Sequence, residues 1–164
     1  MGLKIKLYGD LREKVLYQKS DNGLPSTINI EKNEIKTVLD ILNNYNITQD
    51  EISHIFVNSK YSGAGKEVKN GDRIGIFPKK MGLIFVEIPL ANSFRVVIKL
   101  SSELARFGPN EANLTVPEGT TLNSVVNNYN FKKELGKLNI SVNGKRCFEK
   151  NYILKNKDVI SIFP

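Results

Sequence analysis

The chain has 164 residues and a formal charge of +7, and its 40% hydrophobic and 25% charged content is that of a soluble globular protein, not of a disordered or low-complexity one. A single cysteine, Cys147, excludes an intramolecular disulfide and a cysteine-based zinc site, and a single histidine, His54, argues against a metal held by side chains. No stretch approaches the ~20 apolar residues of a membrane span. The opening Met-Gly-Leu-Lys-Ile-Lys has no apolar leader segment and carries Lys6 where a myristoylation signal wants Ser or Thr, so a cytoplasmic protein is expected, without a membrane or metal partner.

The charge is uneven. Thirteen basic and eleven acidic side chains leave about +2 on residues 1–90, and eleven and six leave about +5 on residues 91–164. Lys outnumbers Arg, and no linear cluster interleaves Lys or Arg with aromatic residues as a surface for single-stranded nucleic acid would. The chain also repeats itself. Asn-Asn-Tyr-Asn stands at 43–46 and again at 127–130; Ile5-Lys6-Leu7 returns as Ile98-Lys99-Leu100, Val57-Asn58 as Val142-Asn143, and KNGDRIGIFP (69–78) as KNKDVISIFP (155–164). Matches in fixed order mean two copies of one small unit.

In chain order, Leu3, Ile5 and Leu7 alternate with Lys4, Lys6 and Tyr8 as one strand, repeated by Val96, Ile98 and Leu100. A second strand follows at Ser26–Ile30 and at Asn113–Val116, pairing with the first as a hairpin. Copy one carries about nine extra residues between these strands, including Tyr17 to Gly23, a surface loop by composition. Helix spacing comes next, with Ile35, Val38, Leu39 and Leu42 in copy one and Leu122, Val125, Val126 and Tyr129 in copy two, the latter opened by the turn and hydroxyls of Gly119-Thr120-Thr121. Ile55 and Val57, with Ile140 and Val142, form a third strand, closed in copy two by the hairpin pair Asn143-Gly144. Asn70-Gly71-Asp72 turns into a last strand at Arg73–Phe77, mirrored at Val159–Phe163. The expected class is α+β: two mixed sheets, each with one main helix packed across it, in which the first and last strands can lie adjacent in the middle, though the pattern alone leaves other α+β topologies open.

These residues resemble the ubiquitin-like sulfur carriers of the MoaD/ThiS type, which serve molybdopterin and thiamine biosynthesis. The resemblance rests on IKLYGDLREKV (5–15) and KNGDRIGIFP (69–78) in copy one, and on IKLSSELARFG (98–108) and VNGKRCFEKNYILKNKDVISIFP (142–164) in copy two. Copy one is also similar to the ubiquitin-like domain fused to Mut7-C nucleases. The resemblance implies two tandem ubiquitin-like β-grasp domains, at 1–80 and 94–164, with an apolar junction at 81–93.

In such carriers the strand ending in Phe-Pro runs on into Gly-Gly, whose carboxylate is adenylated and converted to a thiocarboxylate. Residues without Cβ atoms let that tail enter a narrow partner site. Here copy one continues through Lys79-Lys80-Met81-Gly82-Leu83, and copy two reads Ile162-Phe163-Pro164. The expectation is therefore a carrier surface without carrier chemistry, unless processing at Gly82 exposes a terminus. The junction residues Leu83, Ile84, Phe85, Val86, Ile88 and Leu90 are too apolar for a flexible tether and are expected to be buried.

With no Ser/His/Asp or Cys/His set, no phosphate-binding glycine loop (Gly63-Ala64-Gly65-Lys66 lacks the spacing) and carboxylates scattered on solvent-facing positions, the chain is not expected to be an enzyme or to hold a cofactor. The expected function is that of a protein-binding accessory module for an activating or cofactor-dependent enzyme of molybdenum/tungsten cofactor or sulfur-transfer metabolism. Its contact residues would be Arg73, Phe77, Lys79 and Lys80 in copy one and Lys155, Lys157 and Phe163 in copy two, with core packing as the alternative for the two Phe. The copies differ where Arg12 and Glu13 face Ala105 and Arg106, so two identical partners are not expected. The alternatives are a genuine sulfur carrier processed near Gly82 and an RNA-binding module acting through the basic second copy.

Overall fold

The computed structural model describes residues 2–15, 24–79, 92–129, 131 and 138–164. It divides into two compact units, Met1–Ala91 and Asn92–Pro164. The surface loop expected at 17–23 and nearly all of the apolar junction lie outside the described residues.

In the first unit, strands β1 (Leu3–Leu7), β2 (Ser26–Ile30), β3 (Ile52–Val57), β4 (Lys60–Ser62) and β5 (Arg73–Pro78) form one sheet in the order β2-β1-β5-β3-β4. β1 runs antiparallel to β2 and parallel to β5. The expected central pairing of first and last strands is thus present, and the parallel pair requires a crossover, which carries helix α1 (Val38–Asn44). Leu3, Ile5, Leu7, Ile74 and Ile76 are buried in a core that includes Val38, Ile41 and Leu42 of α1.

The second unit repeats the plan. β6 (Ser93–Leu100), β7 (Glu111–Pro117), β8 (Asn139–Val142), β9 (Lys145–Arg146) and β10 (Val159–Phe163) are ordered β7-β6-β10-β8-β9, with β6 and β10 parallel. Helix α2 (Leu122–Asn127) places Leu122, Val125 and Val126 in the core, beside Val96, Ile98, Ile160 and Ile162. The class is α+β with mixed sheets.

The helices are shorter than the apolar spacing suggested. α1 starts at Val38, not at Ile35, because Thr37 is extended (φ −131°, ψ 169°) and Asp40 reaches back to it. The Asp40 carboxylate accepts the amides of Thr37 and Lys36 at 2.8 Å each and the Thr37 hydroxyl at 3.2 Å. Ile35 is buried ahead of the helix, and the third core residue of α1 is Ile41, which the spacing passed over. In α2, Thr121 Oγ1 accepts the Ser124 amide at 3.3 Å, as the hydroxyl at the helix start predicted, while Tyr129 lies beyond the helix end. Turns of 3-10 helix at Gly9–Lys14, Gln49–Glu51 and Ser102–Phe107 add helical content that the spacing did not indicate, and Leu11 and Leu104 anchor the first and third of them in the two cores.

For Asp40, burial disfavours the charge, but the amides of Thr37 and Lys36 prevail and hold its carboxyl below the usual value. A depressed carboxylate contributes stability that is present above the unfolded pKa of ~4 and lost as pH falls through the lower folded value. Asp40→Ala is therefore expected to cost the first unit roughly 1 kcal/mol near neutral pH and less at about pH 3, below the unfolded pKa. Urea titrations at the two pH values test this; an equal cost at both would reject the ionised cap.

The repeated Asn and Asp of the two copies form one lock. In the first unit Asn58 Nδ2 donates to Asp72 at 2.7 Å, Asp72 accepts the Lys69 amide at 2.7 Å, and Asn58 Oδ1 accepts the Arg73 amide at 2.9 Å. In the second unit Asn143 Nδ2 donates to Asp158 at 2.8 Å, Asp158 accepts the Lys155 amide at 2.8 Å, and Asn143 Oδ1 accepts the Val159 amide at 2.9 Å. Each lock ties the turn before the last strand to the hairpin after the third. Asn58 and Asn143 both sit at φ 51°, a conformation Asn tolerates better than most residues. Not every carboxylate is solvent-facing, then: Asp158 is only 4% exposed, because this network satisfies it.

Candidate functional site

Alternation along a strand sends successive side chains to opposite faces. Because Leu3, Ile5 and Leu7 point into the core, Lys4, Lys6 and Tyr8 lie on the other face; because Ile74 and Ile76 are buried, Arg73, Gly75 and Phe77 lie there too. Pairing sets them side by side, with Lys4 opposite Arg73 and Lys6 opposite Gly75 across β1 and β5, and Phe56 opposite Gly75 across β3 and β5. Sequence reading found no aromatic–cationic interleaving, and in the linear chain there is none. The sheet creates it.

The result is a concavity of about 450 Å³ on the open face of the first unit, lined by the side chains just named together with Ser59 and Ile74. Tyr8 and Phe77 stack with ring centroids 4.0 Å apart and planes 10° from parallel. Phe56 meets Phe77 edge-on at 5.7 Å, and Tyr61 lies 5.7 Å from Phe56. Such pairs contribute roughly 0.5–1.5 kcal/mol each beyond burial, so the rings hold one another in place. At Gly75 an added Cβ would stand 3.4 Å from Phe77 and 3.7 Å from Tyr8, so the two rings close over the glycine. His54, 5.5 Å from Tyr61, is kept neutral to lower pH by burial. Among the described residues no carboxylate pairs with Lys4, Lys6 or Arg73, so the rim is cationic. Chemically, the groove suits a flat or apolar group that carries negative charge.

Of the contact residues expected from sequence, Arg73 and Phe77 meet in this groove. Neither Phe77 nor Phe163 packs in a core; Phe163 is 39% exposed at the end of β10. Lys79 is exposed just past β5, its amide donating to the Glu51 carbonyl at 3.0 Å, whereas Lys80 and Gly82 lie outside the described residues. Lys155 and Lys157 are exposed in the turn before β10, and Phe163 is at the far end of that strand, so the second unit does not gather these three at one point. Sequence reading missed Lys4, Lys6, Tyr8, Phe56 and Ser59 as a group. Their outward direction was legible from alternation, but their proximity to Arg73 depends on strand pairing.

The second unit has the same sheet with different chemistry on it. At positions matching Lys4, Tyr8, Phe56, Arg73 and Gly75 stand Val97, Ser101, Ser141, Val159 and Ser161. Among the described residues no group of three or more His, Cys, Asp or Glu could hold a metal ion, and no helix is long and apolar enough to cross a membrane.

Residues 98–164 match the family model described as the ThiS family. Among solved structures, a Pyrococcus furiosus protein described as molybdopterin converting factor, subunit 1, is 25% identical, with 43% of this chain and 97% of that chain covered and a TM-score of 0.39. Small archaeal modifier protein 1 of H. volcanii is 16% identical over 43% of this chain and 97% of its own, with a TM-score of 0.37. No curated protein matches the chain. The family match covers nearly all of the second unit, Asn92–Pro164, so it is that unit whose sequence is similar to the ThiS family.

Proposed function

We propose that the protein is a non-catalytic MoaD/ThiS-like accessory module, a tandem of two β-grasp domains that binds an enzyme of molybdopterin (molybdenum or tungsten cofactor) or sulfur-transfer metabolism in the cytoplasm. One observation carries this reading: a ThiS-family second unit follows a first unit whose last strand, β5, leads through Lys79-Lys80-Met81-Gly82-Leu83 into more chain instead of into a diglycine and its carboxylate. An internal peptide bond offers nothing to adenylate, so the first unit cannot carry sulfur unless it is cut.

The proposed enzyme contact lies on the second unit. Phe163, exposed at the end of β10, is the anchor, and Lys155 and Lys157 at the other end of the strand steer an acidic partner surface. Lys79 and Lys80 supply further positive charge after β5.

The test is the intact mass of the protein from its native cells, together with incubation of the purified chain with an adenylating activating enzyme and ATP. The expected result is an unmodified mass and no adenylate, with complex formation weakened at least tenfold by Phe163→Asp. A species ending at Gly82, an added sulfur or ATP-dependent adenylation would make the protein a sulfur carrier and overturn the accessory role.

A further inference from the structure

The groove of the first unit is not needed by that reading, and its chemistry points to a different ligand. We infer that the open sheet face formed by β1, β5 and β3 binds a single strand of RNA, with a base against the aromatic cluster and phosphates on the cationic rim.

Three features converge. The stacked Tyr8 and Phe77, with Phe56 edge-on beside them, form an aromatic cluster standing on the sheet surface, and a groove of about 450 Å³ runs against it. Exposed aromatic surface of this kind takes bases whatever their sequence, because every base has a π face. Lys4, Lys6 and Arg73 rim the groove without a described carboxylate partner, so an occupant that brings its own negative charges is favoured over a neutral apolar one. A duplex hides the faces of its bases, so a single strand is required for stacking.

An acidic peptide would answer the cations but bring few flat rings to the aromatic cluster. Tyr8 and Ser59, both hydroxyl-bearing, are among the lining residues, and the ribose 2′-hydroxyl, both donor and acceptor, offers such residues a partner that DNA lacks. The second unit serves as an internal comparison. Its sheet has the same strand order, yet Val97, Val159, Ser101 and Ser141 replace two of the cations and two of the rings, so the ligand surface is separable from the fold.

The experiment is fluorescence anisotropy of the full chain with a labelled uridine dodecamer at 50 and 200 mM salt. If about three phosphates are neutralised, affinity is expected to fall roughly 20-fold between the two conditions. Lys4→Ala/Lys6→Ala/Arg73→Ala is expected to remove most of that salt dependence and at least tenfold of the affinity. Phe77→Ala should weaken binding by roughly 5- to 150-fold at either salt concentration. Lys36→Ala/Lys145→Ala/Lys150→Ala removes the same charge from exposed positions elsewhere and should change affinity less than twofold. Circular dichroism melts of each variant check folding; the charge variants alter exposed or rim residues, so they stay informative even if Phe77→Ala loosens the sheet.

Failure to bind at 50 mM salt would overturn the inference. So would equal losses from the two triple variants, which would mean bulk charge, or displacement of the probe by an acidic peptide at equal concentration, which would mean a protein ligand. Equal affinity for a thymidine DNA dodecamer would overturn the choice of RNA.

Discussion

Phe131→Ala is expected to leave the second unit largely unfolded at physiological temperature. Among the described residues Phe131 is the bulkiest fully buried side chain, at 1% exposure, and it is held by two other rings: Phe107 edge-on at 4.8 Å and Tyr129 stacked at 5.6 Å. Truncating a buried Phe costs about 3–5 kcal/mol, because the transfer free energy is lost and the cavity closes only partly. A unit of this size has a single core and little stability to spare, so that loss approaches the whole. The melting temperature of the second unit should fall by roughly 10–30 °C. Hydrogen exchange should show the loss of protection in β6, β8 and β10. Phe131→Leu, which keeps most of the volume, should cost less than half as much. A drop of less than about 5 °C for Phe131→Ala would mean that the site collapses around the missing ring and that the aromatic trio is not central to the core.

The second large effect is expected at Asp158. Its carboxylate, 4% exposed, accepts the Lys155 amide and the Asn143 side-chain amide, and Asn143 in turn holds the Val159 amide at the start of β10. Asp158→Ala takes the acceptor from two part-buried hydrogen bonds, and bonds to charged groups are worth about 1.5–3 kcal/mol each, so a total loss of about 3 kcal/mol is expected. Asn143→Ala breaks the same network from the other side. The double variant should lose clearly less than the sum of the two, by about 1 kcal/mol or more, since the second change removes what the first has already disabled. Denaturant titrations of the two single variants and the double variant measure this; strictly additive losses would show that the two residues act separately. Asp72→Ala in the first unit should be milder, because Asp72 is only partly buried and solvent can replace part of its network.

These two effects differ in how visible they are in the chain. The Asn of Val-Asn and the Asp of Lys-Asn-x-Asp recur in both copies, so their importance to the unit was legible as repetition. Their purpose was not. Asn143 and Asp158 are 15 residues apart, and only when the β8–β9 hairpin and the turn before β10 come side by side do they exchange hydrogen bonds. The helix starts show a similar limit. Apolar spacing located α1 but extended it back to Ile35, because the competing signal, the Asp40 carboxylate capping Thr37, is local hydrogen bonding that periodicity does not register.

The strands' inward and outward faces, the turn at Asn143-Gly144 and the two-copy plan follow from period-two alternation, turn chemistry and self-similarity, which act between near neighbours or repeat along the chain, whereas the central pairing of first and last strands was one of several topologies the pattern allowed. The resemblance carried by KNKDVISIFP and its neighbours likewise agrees with the family found for residues 98–164. What only the tertiary structure decided is the surface. Lys4 and Arg73 are far apart in sequence and Phe56 is remote from Tyr8, yet parallel pairing of β1 with β5 and antiparallel pairing of β3 with β5 place them on one face around Gly75. A groove depends on which strands become neighbours, and strand neighbours are chosen by burial of the opposite face, so the chemistry of the outer face is assembled as a consequence of how the core packs.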